Sequence, residues 1–155
     1  MKPRILVPYD YSTCSERALA WAVDFQKTTG AEPIQMIHAI DSRPAGAGGG
    51  EISFELLLPN DDERAGLERS MREAALRHGA QASARVLVVP RPVGDTILDA
   101  ARDTRAEVIV MGTHGRSGVR RVFLGSVAEH VLRHADCAVV TIHTAGDGDA
   151  HAVSP

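Results

Sequence analysis

The segment EVIVMGTHGRSGVRRVFLGS, residues 107–126, opens on an apolar, β-branched run and then changes abruptly to glycine and arginine. Val108, Ile109 and Val110 follow one another without alternation, as a strand covered on both faces does. Gly112, Gly115, Gly118 and Gly125 come next, and Gly125-Ser126 leads into VAEHVLRH, a helical stretch read over 126–134. The segment therefore places a buried strand, a glycine-rich loop and a helix in succession.

The same alternation extends outward in both directions. RILVPY (4–9), PIQMIHAI (33–40), ARVLVV (84–89) and CAVVTIH (137–143) are further short apolar runs, which with 107–111 make five predicted strands. Between the first two, Thr13-Cys14-Ser15-Glu16 reads as a capping box, Leu19, Ala22, Val23 and Phe25 are spaced for one helix face, and Gly30 marks the end. Residues 63–78 read as a helix with Leu67, Met71, Ala74 and Ala75 inward, ended by Gly79, and Gly94-Asp95-Thr96 starts another that carries Ile97, Leu98 and Ala101. Residues 41–62 break the pattern, because Pro44 and the glycine tract at 46–50 exclude regular structure; this predicts a long mobile loop. The small, polar tail 144–155 is expected to be disordered, which leaves 1–143 as one domain.

Strands alternating with helices predict a single-domain α/β sandwich of Rossmann-like type, with a five-stranded parallel sheet, helices on both faces and right-handed crossovers. Such a sheet binds ligands beyond the carboxyl ends of its strands, where the strand order reverses. The Tyr9–Ser12 turn and the 112–126 loop both follow strand ends and so share one edge.

Bulk composition narrows the function classes. The chain has 155 residues, 44% hydrophobic and 24% charged, with a formal net charge of −3, so nothing global attracts nucleic acid or an anionic membrane. Fifteen of its basic residues are arginines and only Lys2 and Lys27 are lysines. Cys14 and Cys137 are far apart and form no C-x-x-C pair, and MKPRILVPYD lacks a signal-peptide core, so a reduced, cytoplasmic protein with both thiols acting as small apolar residues is expected.

The glycine segment has a chemistry of its own. A helix start offers unpaired N–H groups and the positive end of its dipole, and glycines let a phosphate approach the backbone. The spacing Gly112-x2-Gly115-x9-Gly125-Ser126 forms one loop that leaves the sheet and returns to a helix start. Arg116, Arg120 and Arg121 supply local positive charge within it. Asp10, at the end of the first strand, reads either as a ligand contact or as a cap for the first helix. His130 and His134 stand four apart on the last helix, but HVLRH is not H-E-x-x-H and no third ligand accompanies it, so no metal site is expected.

GTHGRSGVRRVFLGSVAEHVLRHADC, with VPYDYS at the first strand and HAID at the end of the second, resembles the universal stress protein family in its nucleotide-binding branch, over roughly residues 3–143. The resemblance implies a sheet ordered 3-2-1-4-5, a homodimer, and ATP or another adenine nucleotide, with Mg as an accompanying ion. Carried over position by position, it implies Asp10 on the ribose hydroxyls, Pro8 along the adenosine, backbone groups of Ala39 on the adenine edge and Met111 against the nucleoside. Gly112, Gly115, Arg116, Gly125, Ser126 and Val127 would surround the phosphates, mostly through backbone N–H. Cys137-Ala138 departs from the family, which usually has proline after the cysteine; this adds a backbone N–H on an expected edge strand.

A regulatory or signalling module follows as the leading expectation, its occupancy biasing a dimer interface or the 41–62 loop toward a downstream protein partner. No G-x-x-x-x-G-K-[ST] occurs and no lysine follows Lys27, so fast ATP hydrolysis is not expected. The alternatives are a structural stress-response dimer that binds no nucleotide, and a slow ATPase.

Overall fold

The computed structural model describes residues 2–43, 58–113 and 124–143. Within them the chain runs β1 (Ile5–Pro8), α1 (Thr13–Thr29), β2 (Ile34–Asp41), α2 (Asp61–Arg77), β3 (Ala82–Val89), α3 (Val93–Asp103), β4 (Val108–Gly112), α4 (Ser126–His134) and β5 (Ala138–Ile142). The strands form one sheet in the order β3-β2-β1-β4-β5, with every pairing parallel. The chain steps from β1 outward to β3, then returns past β1 to β4 and β5, so the order reverses between β1 and β4.

The pleat sorts each strand into two cores. Ile5, Val7, Met36 and Val110 pack with Leu19 and Val23 of α1 and Met71 of α2 on one face. Leu6, Ile37, Ile109 and Met111 pack with Ile97 and Leu98 of α3 and Ala128 and Val131 of α4 on the other. Both side-chain sets of β1 are buried, which is why the strand reads as an unbroken apolar run.

Element ends differ from the sequence reading where a tertiary partner competes. α1 is capped by Ser12, which accepts the Ser15 N–H at 3.1 Å, and not by the expected Thr13–Glu16 box. Glu16 is drawn away: its carboxylate accepts the Tyr9 hydroxyl and lies 2.9 Å from His78 Nε2. A true box forms at α2, where Asn60 accepts the Glu63 N–H at 2.9 Å and Glu63 accepts the Asn60 N–H at 2.8 Å. That box starts α2 at Asp61, and Asp41 closes β2, so both ends of the predicted 41–62 loop belong to regular structure. β3 reaches back to Ala82 because β2 pairs with it throughout, from Ile34↔Ala82 to Asp41↔Val89. Gly112, expected to open the loop, is the last residue of β4, paired with Ile142. Residues 44–57 of the predicted loop, and the tail 144–155, lie outside the described residues.

Candidate functional site

The carboxyl ends of β1, β2 and β4 and the starts of α3 and α4 enclose a cavity of about 250 Å³ at the switch point of the sheet. β1 and its turn contribute Pro8, Tyr9 and Asp10; β2 contributes Ile37, His38 and Ala39; β4 contributes Met111, Gly112 and Thr113. Val93 and Ile97 of α3 and the run from Gly125 to Ala128 close the remaining side.

The turn that carries Asp10 is held from several directions. The Tyr9 N–H donates to Ile37 O at 2.8 Å, and His38 Nδ1 lies 2.8 Å from Tyr9 O, which ties the turn to β2. Asp10 Oδ1 accepts the Ser12 N–H at 3.0 Å in an Asx turn. Tyr11 has φ 65°, a left-handed conformation unusual for an aromatic residue. Its hydroxyl donates to Leu67 O at 3.0 Å, and its ring meets those of Tyr9 and His38 edge-on at 5.1 Å each. Behind this wall, burial pushes the Tyr9 phenol above its usual range, reinforced by Glu16. Burial also pushes the Glu16 carboxyl up, but hydrogen bonds from Tyr9 and His78, together with the charge of Arg77, outweigh it and leave the group below the ordinary carboxylate value.

On the opposite rim, the Thr113 N–H donates to Ile142 O at 3.0 Å and continues the ladder beyond β4. The Gly125 N–H then donates to Thr113 O at 2.8 Å, so the chain leaving β4 and the chain entering α4 are pinned together. Gly125 accepts the Glu129 N–H at 2.9 Å, and among the described residues no side chain caps α4. The first-turn amides of Ser126, Val127 and Ala128 have no intrahelical acceptor by helix geometry and stand at the positive end of the dipole. The amide of Gly125 is thus engaged at the loop base, and Ser126, Val127 and Ala128, which follow it, line the cavity.

Gly112 also has a structural duty. A Cβ there would stand 2.6 Å from Cys14 Cβ and 2.9 Å from the Cys14 carbonyl carbon, so glycine lets β4 approach the first turn of α1. Cys14 is buried and Cys137 half-buried. The Ala138 N–H donates to Glu107 O at 3.2 Å, so the donor gained where the family usually has proline points into the sheet and not to the open edge.

The profile of the universal stress protein family matches residues 1–143. The chain belongs to the universal stress protein family. A universal stress protein of Thermus aquaticus is 36% identical over 138 residues, spanning 89% of this chain and 96% of the relative. One of Methanocaldococcus jannaschii is 32% identical over 142 residues, spanning 90% of this chain and 81% of the relative. The solved structure of the universal stress protein from Archaeoglobus fulgidus in complex with dAMP superposes with a TM-score of 0.64 at 26% identity, covering 90% of this chain and 97% of that one.

Of the positions that the family resemblance singled out, Pro8, Asp10, Ala39, Met111, Gly112, Gly125, Ser126 and Val127 line this one cavity. Gly115 and Arg116, with His114, Arg120 and Arg121, lie outside the described residues. Sequence reasoning missed Val93 and Ile97, which come from a helix whose sequence position gives no hint of proximity. It also passed over Thr113, although that residue sits inside the quoted glycine segment. His130, one of the two histidines set four apart on α4, lies 2.7 Å from Asp95 Oδ1. Among the described residues no group of three or more His, Cys, Asp or Glu could hold a metal ion. Among them also, no helix is long and apolar enough to cross a membrane.

Proposed function

We propose that this chain is an adenine-nucleotide-binding regulatory module of the universal stress protein family, with ATP as its first candidate ligand. The observation that carries the reading is one cavity that joins the Asp10 carboxylate to the start of α4 across the switch point of the sheet. Its lining suits such a ligand. Ile37, Ile97 and Met111 offer apolar walls to a base, Asp10 offers acceptors to ribose hydroxyls, and the amides of Ser126 to Ala128 offer donors to a polyanion. The dAMP held by the Archaeoglobus fulgidus relative supports an adenine nucleotide in this fold.

Efficient phosphoryl transfer is not part of the proposal. Neither Lys2 nor Lys27 lines the cavity, and Asp10 is the one carboxylate among its described lining residues. Of the described lining residues, Asp10 alone could join the nucleotide's own phosphates in holding a magnesium ion. The module works in the cytoplasm as a homodimer and presents its nucleotide state to a downstream protein. β5, an edge strand of the described sheet whose residues are all half-buried or exposed, pairs with the second copy.

Equilibrium dialysis against labelled ATP, ADP and AMP tests the reading, alongside identification of any nucleotide released when the purified protein is denatured. Retention of ATP with no phosphate released over hours supports a non-hydrolysing binder. No retention of any adenine nucleotide at millimolar concentration rejects it in favour of a structural dimer, and rapid release of phosphate rejects the regulatory module in favour of an ATPase.

A further inference from the structure

The geometry points to His130 and Asp95 as a positioning pair that sets the start of α4 against the start of α3, and thereby gives the cavity its preference for phosphate over the bare nucleoside. This inference rests on the nucleotide-binding reading. Ala128 and Val131 seat α4 in the core, a contact without direction of its own, and the start of the helix takes one polar tie at the Gly125–Thr113 hydrogen bond. The second point is His130, on the next turn of α4, whose Nε2 lies 2.7 Å from Asp95 Oδ1 in the first turn of α3. Gly94 makes the approach possible, because a Cβ at that position would meet His130 Cδ2 at 2.7 Å.

The two helix starts joined in this way carry Val93, Ile97, Val127 and Ala128, which form one wall of the cavity. Neither Asp95 nor His130 lines the cavity. The pair therefore acts through the direction of the α4 amides, and hydrogen-bond donors lose most of their value when misaligned. Other groups also face the pair. Arg43, which is bonded to Asp41, acts electrostatically on Asp95, and the ring of His134 lies tilted on that of His130 at 4.4 Å. Because Asp95 has this second charged neighbour, substitutions of His130 isolate the pair more cleanly.

The test is the ratio of ATP to adenosine affinity, measured by calorimetry near neutral pH for wild type, His130→Ala, Asp95→Ala, the double variant and His130→Gln. We expect His130→Ala and Asp95→Ala each to lower the ratio by about tenfold, the scale of one charge-assisted hydrogen bond. Adenosine binding should stay unchanged, the double variant should be no worse than either single, and His130→Gln, whose amide can donate to Asp95, should restore the ratio. A role confined to stability would lower the unfolding midpoint and leave the ratio intact, and that result overturns the inference, as would additive losses in the double variant. If His130→Ala does not fold, Asp95→Asn carries the same test, and an unchanged ratio again overturns it. Wild-type protein with no preference for ATP over adenosine removes the underlying reading too, whereas a preference that survives His130→Ala removes the positioning role alone.

Discussion

Asp10 meets two demands with two oxygens. Oδ1 holds the Asx turn on the Ser12 N–H, and the carboxylate also lines the cavity. Asp10→Asn separates them, since the amide oxygen can keep the turn while the charge and one acceptor are lost. Adenosine affinity should fall about tenfold or more in the dialysis assay, with the urea midpoint unchanged, because hydrogen bonds to charged groups are worth about 1.5–3 kcal/mol. A lost midpoint with retained affinity would make Asp10 a purely structural cap. Glu16 gives a second test at this scale. Its folded-state pKa is depressed despite burial, so the ionised carboxylate contributes stability above its unfolded pKa, about 4.3, and the contribution is lost as pH falls through the lower folded value. Glu16→Gln should therefore flatten the acid limb of a plot of urea midpoint against pH, and leave the Tyr9 and His78 contacts with a neutral partner.

At the scale of elements, the fit of β4 against α1 depends on the absent side chain of Gly112. Gly112→Val would drive a branched Cβ into Cys14, main chain included, and should destabilise the fold by about 1–3 kcal/mol. Urea unfolding reads this as a lower midpoint with an unchanged slope. Stability equal to wild type would show that the strand can move off the helix and that the glycine serves the ligand alone. The helix starts illustrate what was legible in the chain and what was not. Ser126 at the start of α4 was read correctly because Gly125-Ser126 precedes an apolar spacing that has no competitor. Thr13-Cys14-Ser15-Glu16 has the letters of a capping box, but Glu16 is taken by Tyr9 and His78, the latter distant in sequence. Asn60-Asp61-Asp62-Glu63 is a box in fact, hidden in a stretch that glycine and proline made look irregular throughout. Local patterns fail where a distant group offers a better partner.

At the scale of the whole molecule, a ligand that bridges β1 and α4 joins the two halves of a doubly wound sheet, so its binding energy should add to global stability. With ATP at a hundredfold excess over its dissociation constant, unfolding free energy should rise by about 2.7 kcal/mol. Thermal unfolding across a nucleotide series checks this, and a midpoint that does not move with ATP concentration argues against any site in the native fold. Among the described residues, the positions that the family resemblance singled out lie on segments remote in sequence, Pro8 and Asp10, Ala39, Met111 and Gly112, and Gly125 to Val127, yet they border one cavity. The parallel order β3-β2-β1-β4-β5 explains that convergence, because every strand delivers its carboxyl end to the same edge.

By itself the amino-acid sequence determined the alternation of strands and helices, the two-sided burial of β1 and β4, and the placing of glycine and serine at the start of α4, because these depend on residue type and spacing within a few neighbours. Only the tertiary structure decided that the Gly125 amide closes the loop base on Thr113, that Gly112 makes room for Cys14, and that Val93 and Ile97 wall the cavity. It also decided that Asp95 and His130 join two helix starts. Those are choices among partners far apart along the chain, and no local spacing encodes which distant donor or side chain will arrive first.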